Sequence, residues 1–200
     1  DYTVNYYKES AVGTYEDKPF DTVTAKAEFQ SVISTYADKC PEGYTFDYDQ
    51  GKPLTITADP ASNVINVYYA IDQIGTDDPD DPDDVPDRYQ VTFVYQAAEN
   101  GKIAAGATTK EVKTIFAEDG KTYAQSGTVE YSGSTAEPNT GYKFVSWTGA
   151  MTGTDATLAK GNKEVTGGET YTATANFAKD AFDYTVNYYK ESAVGTYEDK

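Results

Sequence analysis

Residues 183–200, DYTVNYYKESAVGTYEDK, repeat residues 1–18 letter for letter. The offset between the two occurrences, 183 minus 1, sets a period of 182 residues, so the fold must be complete within one period and must tolerate a second copy behind it. Repetition on this scale points to function through reach and multiplicity rather than through one catalytic pocket. The chain opens on Asp1 and closes inside the second copy, and both ends are expected to be cuts in a longer polypeptide.

Composition closes off several classes of chemistry. With no His and a single Cys, the chain can build neither a Ser-His-Asp nor a Cys-His nucleophile, and it has no imidazole to hold a metal. A Cys-x-x-Cys pair and a phosphate-cradling glycine loop are also missing. Paired carboxylates for glycoside cleavage would need two acids held across a pocket, whereas the acids here gather in one segment or on polar strand positions. No enzymatic activity and no cofactor are therefore expected. A net charge of -17 repels phosphate backbones and anionic lipid, which argues against nucleic acid as a partner. No apolar run is long enough for membrane insertion and no signal peptide is present. Cys40 has no second cysteine with which to form an internal bridge.

The most polar stretch divides the chain. Residues 75–87, GTDDPDDPDDVPD, hold seven Asp and three Pro in thirteen positions, a composition that cannot enter a core and reads as an acidic linker. On either side lie a first module, residues 1–74, and a second, residues 88–178. A short joint at 179–182 then leads to an incomplete first module at 183–200. Proline spacing and like-charge repulsion predict a stiff, extended linker spanning roughly 40 Å at about 3.1 Å per residue, which would hold the modules apart. On that basis each repeat has one bendable junction and one tighter one. Asp77, Asp78, Asp80, Asp81, Asp83 and Asp84 offer hard oxygen ligands, yet the Asp-x-Asp-x-Asp-Gly loop of a calcium site is absent. The expectation is no dedicated metal site, with weak, diffuse calcium binding the alternative.

Both modules carry the period of two that marks half-buried strands. Tyr2, Val4 and Tyr6 alternate with Thr3 and Asn5, and Ile65, Val67 and Tyr69 alternate with Asn66 and Tyr68. In the second module Tyr89, Val91, Phe93 and Tyr95 open the pattern, and Tyr171, Ala173, Ala175 and Phe177 close it. Leu54 and Ile56 mark a further strand. Phe29 to Tyr36 stays open between a helical face and a β-branched strand. Pro41-Glu42-Gly43-Tyr44-Thr45-Phe46 is a turn entering a strand, echoed with one residue inserted by Pro138-Asn139-Thr140-Gly141-Tyr142-Lys143-Phe144. Trp147 is expected to fill a core, the alternative being an exposed ring that stacks on a ligand.

The ordered pattern Tyr2-Thr3-Val4-Asn5-Tyr6-Tyr7, Gly43-Tyr44-Thr45-Phe46, Leu54-Thr55-Ile56-Thr57 and Asn63 to Tyr69 resembles the mucin-binding-protein (MucBP) repeats of Gram-positive surface adhesins. It spans nearly the whole first module. In the second module Tyr89 to Tyr95, Gly141 to Trp147 and Thr170 to Phe177 resemble the Listeria-Bacteroides, or internalin B-type, repeat. These resemblances imply a mostly β fold of α+β, β-grasp (ubiquitin-like) modules, strung as an elongated tandem-repeat chain. They also imply an extracellular protein attached to the cell wall through regions outside this stretch.

Tyrosine supplies the binding signal. If Tyr2, Val4 and Tyr6 face a core, Tyr7 falls on the opposite side, and Tyr68 likewise opposes Tyr69. Exposed Tyr stacks on sugar rings while its hydroxyl bonds theirs. Tyr7, Tyr48 and Tyr68 are the candidate ligand-binding rings, with Asn5, Asn66, Asp47 and Asp49 as polar neighbours. The competing reading is cross-strand Tyr pairing that merely covers the sheet. Lys26, Lys143, Asn63, Asn66 and Asn176 are the residues from which an internal Lys–Asn cross-link could be drawn, against ordinary surface pairing. The expected role is a low-affinity adhesin repeat whose partners are mucin-type glycans or a host surface protein. The alternative is a passive stalk that projects a distal binding head. The chain is expected to be monomeric within an array, with residues 183–200 free to exchange strands with a neighbour.

Overall fold

The computed structural model describes residues 1–76 and 81–198. In the first module the alternating segments form β1 (Tyr2–Ala11), β2 (Thr14–Tyr15), β3 (Asp21–Ala25), β4 (Val32–Ile33), β5 (Tyr44–Gln50), β6 (Leu54–Thr55) and β7 (Val64–Ile71). One sheet runs β2-β1-β7-β5, with β3 sharing the outer edge of β1 beside β2. The first and last strands, β1 and β7, lie parallel at its centre, Val4 opposite Ile65 and Tyr6 opposite Val67. Parallel neighbours require a long crossover, and residues 26–62 supply it by passing over one face. Leu54 and Ile56 there close on Val4, Tyr6, Ile65, Val67 and Tyr69 to make the core.

The described chain is mostly β, as expected, and this crossover is irregular, without the α-helix of an α+β module. Among the described residues the only helical turns are 3₁₀ turns at Pro60–Ser62 and Asp87–Tyr89. A helix over 29–36 fails for two local reasons. Gln30 sits at φ 66°, and the Gln30 N–H and Ser31 carbonyl pair with the two backbone groups of Ile56 instead of with their own turn. Phe29 and Val32 consequently stay 65% and 59% exposed.

The second module comprises β8 (Gln90–Ala97), β9 (Gly101–Ile103), β10 (Lys110–Thr114), β11 (Ser126–Tyr131), β12 (Ser134–Pro138), β13 (Tyr142–Gly149), β14 (Thr157–Leu158), β15 (Gly161–Thr166) and β16 (Thr170–Lys179). Its main sheet runs β10-β8-β16-β13, again with the first and last strands parallel at the centre. Two smaller sheets, β11-β15 and β14-β12-β9, cover it. Val91, Phe93, Tyr95, Ala173 and Ala175 from the main sheet meet Val129, Leu158 and Val165 from the cover. Trp147 lies in this core at 1% exposure, its indole N–H donating to the Ala156 carbonyl at 3.3 Å, so it fills space rather than meeting solvent.

The echoed turn motif has a structural counterpart. Gly43 and Gly141 both take positive φ, at 76° and 86°. Each carbonyl accepts from the residue that follows the closing strand, Asp72 or Asp180. Immediately after Gly-Tyr-x-Phe each strand then bulges, between Phe46 and Tyr48 and between Phe144 and Ser146.

The acidic segment departs from expectation. Its described part, residues 81–87, is folded against the end of the first module rather than extended. Asp72 accepts from the Asp83 and Asp84 N–H groups at 3.2 and 3.0 Å. Asp83 accepts from Thr76 N–H, Val85 N–H and the Gln90 amide. Asp87 Oδ1 accepts from both Gln73 N–H and Ile74 N–H. Short carboxylates close turns by taking backbone donors, so this run of Asp is spent on local hydrogen bonds as well as on solvation. The modules are in contact instead of being spaced apart: the β1–β2 turn places Val12 against Gly168 of the second module. Beyond β16, residues 183–190 form no regular structure, whereas β17 (Glu191–Ala193) and β18 (Thr196–Tyr197) make a small hairpin.

Candidate binding surface

Because Val4 and Tyr6 point into the core, Asn5, Tyr7 and Glu9 of β1 face the other side of the sheet, and Asn66, Tyr68 and Ala70 of β7 do the same. The bulge in β5 brings Tyr48 opposite Tyr68. Two cross-strand rows result. In the first, Thr22 Oγ1 donates to Asn5 Oδ1 at 3.1 Å and Asn5 Nδ2 to Asn66 Oδ1 at 3.0 Å. In the second, Tyr7, Tyr68 and Tyr48 stack with centroids 5.0 and 4.5 Å apart and planes within 15°. Tyr15 stands edge-on to Tyr68 and Tyr48. The fold thus brings Tyr7, Tyr48, Tyr68, Asn5 and Asn66 together on one face. It does so by cross-strand pairing, so ring faces cover one another and the row offers hydroxyls and edges to solvent. Burial raises the Tyr48 and Tyr68 pKa values, which keeps these hydroxyls protonated.

The other polar candidates go elsewhere. Asp49 accepts from Tyr36 Oη at 2.7 Å and pairs with Lys52 at 2.6 Å, away from the tyrosine row. Asp47, the extra residue of the bulge, turns toward the second module, where it pairs with Arg88 and accepts from Tyr15 Oη. Asn63 is buried, and its side chain bonds Thr57 and the Asp1 carbonyl. Lys26 and Lys143 are exposed and do not approach it, and Asn176 bonds Ser146 and Thr148. Asp81 and Asp84 are exposed, and Asp83 is committed to the donors above. Asp77, Asp78 and Asp80 lie outside the described residues. Among the described residues no group of three or more His, Cys, Asp or Glu is placed to hold a metal ion.

Arg88, the chain's only arginine, was not among the residues singled out, and it organises the junction. At 7% exposure it sits between the modules. One terminal nitrogen donates to Glu9 at 2.8 Å and to Tyr15 Oη at 3.1 Å. The other pairs with Asp47 and donates to Tyr89 Oη at 3.0 Å, and the guanidinium carbon lies 4.7 Å from the Tyr89 ring centroid. Burial works against its charge, but the hydrogen bonds to Asp47, Tyr15, Tyr89 and Glu9 outweigh it and hold the pKa above the ordinary arginine value. Glu9 in turn accepts from Gly13 N–H and Ile71 N–H, both at 2.9 Å. A lysine could not do this, because only the planar fork reaches two carboxylates and two phenols at once. The available signal was one arginine standing directly after a run of aspartates.

Beside the clasp lies a groove of about 320 Å³, bounded by Phe46 and Asp47 from the first module, Asp84 and Pro86 from the connecting segment, and Tyr89, Thr122 and Tyr123 from the second. No protein-family model, curated protein or solved structure matches the chain.

Proposed function

We propose that the chain is a repeat unit of a Gram-positive surface adhesin, extracellular and wall-attached, that engages mucin-type glycans or a host surface protein with low affinity per site. The observation that carries this reading is the solvent-facing row Tyr7–Tyr68–Tyr48 beside Asn5–Asn66, a surface of phenol hydroxyls and amides matched to sugar hydroxyls. Tandem copies would raise apparent affinity by about a hundredfold or more where several engage one target. The central parallel pair flanked by antiparallel strands in each module supports the β-grasp reading, with an irregular crossover in place of the helix, and supports kinship with MucBP and internalin B-type repeats. The test is retention of the protein, as monomer and as multimer, on immobilised mucin with and without its glycans. Glycan-dependent retention of the multimer that is lost in Tyr7→Ala and Tyr68→Ala is the expected result.

The stalk reading draws on a different observation, the Arg88 clasp, which would stiffen a projecting rod. Absence of retention in either form would favour it. Tyr184, Val186 and Tyr188 repeat the core face of β1 but lie exposed, so we also propose that they exchange with β1 of a neighbouring copy. Sizing should show a concentration-dependent dimer that disappears on deleting 183–200, and a dimer that survives the deletion would exclude this exchange.

A further inference from the structure

We propose that the binding unit is the pair of modules rather than the first module alone, and that the groove beside Arg88 takes a neutral oligosaccharide. This inference rests on the adhesive reading above and places its main contact elsewhere. A sugar ring packs its C–H face on the open face of an aromatic ring, and the tyrosine row has little open face to offer because its members are stacked on one another. The groove does offer it. Phe46, 50% exposed, enters no ring contact among the described residues, and Tyr123, 44% exposed, is tilted 31° and 45° to Tyr89 and Phe116 rather than stacked on them.

The two regions are joined through the buried Arg88. Ring contacts run Tyr7, Tyr68, Tyr48, Tyr15 in the first module and Tyr89, Tyr123, Phe116 in the second, and the Arg88 guanidinium bridges them, 6.0 Å from the Tyr15 centroid and 4.7 Å from that of Tyr89. A ligand spanning the junction would meet open ring faces in the groove and a row of hydroxyls and amides on the sheet. Arg88, together with the Gln90–Asp83 bond and the Val12–Gly168 contact, holds these halves together.

Charge selects the occupant. No Lys or Arg lines the groove, and the chain carries a net -17, so sialylated or sulfated glycans are repelled. A basic peptide is also poorly matched, because Asp47 is already paired with Arg88, and Asp83 behind the wall is bonded to Thr76, Val85 and Gln90. Asp84 is the lining carboxylate left to face a ligand. A neutral sugar hydroxyl can donate to it without a counter-charge.

The experiment displays residues 1–200 on beads at equal density and measures retention on surfaces bearing neutral or sialylated forms of the same mucin O-glycan, or an oligolysine peptide. The wild type should prefer the neutral glycan. Tyr123→Ala and, independently, Phe46→Ala should each lose roughly three- to tenfold in retention, the range expected for one aromatic contact. Asp84→Lys should raise retention of the sialylated form. Thermal unfolding followed by circular dichroism verifies that each variant folds, and both aromatic positions are exposed enough for truncation to leave the cores intact. Full retention by Tyr123→Ala and Phe46→Ala, together with loss in Tyr48→Ala, would overturn the composite site and leave adhesion through the first module standing. Retention on no glycan surface would overturn the adhesive reading itself. Preference for oligolysine would overturn the choice of occupant.

Discussion

Asp72 and Asp87 show how much depends on which oxygen of a buried carboxylate is used. Both are buried at the junction, and burial pushes both pKa values up, with the Asp72 and Glu9 charges adding to the effect at Asp87. A carboxyl whose folded pKa is raised binds its proton more readily in the native state, so its ionisation costs stability as pH rises, and the cost fades as pH falls through the folded value. Asp87 takes both of its backbone donors on one oxygen, and asparagine can keep that arrangement without the charge. Asp87→Asn should therefore be neutral to stabilising at pH 7, with the difference from wild type shrinking toward about pH 4, as read by urea unfolding across that range. Asp72 uses both oxygens, one for Asp83 and one for Asp84. Asp72→Asn turns an amide N–H₂ toward a donor and should cost roughly 1–3 kcal/mol at pH 7, the cost shrinking as Asp72 itself takes a proton at lower pH. Asp38, Asp49 and Glu111, whose pKa values are lowered, contribute stability that is lost as pH falls, so only the difference between variant and wild type isolates the junction.

At the scale of elements, the legible parts were those whose two faces differ. β1, β7, β8 and β16 alternate apolar with polar residues because one face meets a core, and their periodicity was readable without partners. The segment over 29–36 was not legible, because its backbone is claimed by Ile56, a partner more than twenty positions away. The tyrosine face was legible as a face, but not as a stacked row, since stacking depends on the register of three strands and on the β5 bulge. The junction was the least legible element: its carboxylates read as solvated charge until the N–H groups they accept from are in place. Its second half depends on the turn before β16. There a Cβ on Gly167 would stand 1.7 Å from the Arg88 carbonyl oxygen, and one on Gly168 would stand 2.7 Å from Val12. Gly167→Ala should leave both module cores folded yet displace Arg88, and chemical-shift changes should cluster at Glu9, Asp47 and Tyr89. Shifts confined to residues near 167 would refute this coupling.

For the whole molecule, the clasp decides between a body of fixed shape and two modules on a tether. Removing one partner of a buried ion pair strands the other, at about 3–5 kcal/mol. Arg88→Ala strands both Glu9 and Asp47. It should widen the distance distribution in small-angle scattering and split a single unfolding transition into two. An unchanged profile would mean that the remaining ties, the Val12–Gly168 contact and the hydrogen bonds of Asp83 and Asp87, suffice. The same clasp must also choose between two identical acids, because residues 183–200 repeat residues 1–18. Arg88 is 79 residues from Glu9 and 191 minus 88, or 103, from Glu191, its counterpart in the repeated stretch. Loop entropy separates these choices by only about 0.2 kcal/mol. The β17–β18 hairpin presents Glu191, held by the Gly195 N–H, as Glu9 is held by Gly13. The tuck of the acidic segment, Asp72 gripping Asp83 and Asp84 a few residues upstream, holds Arg88 close to the end of β7 and so favours Glu9. Together with the bonds from Gln73 and Ile74 to Asp87, those hydrogen bonds act as an address label that lets Arg88 tell Glu9 from its duplicate at 191.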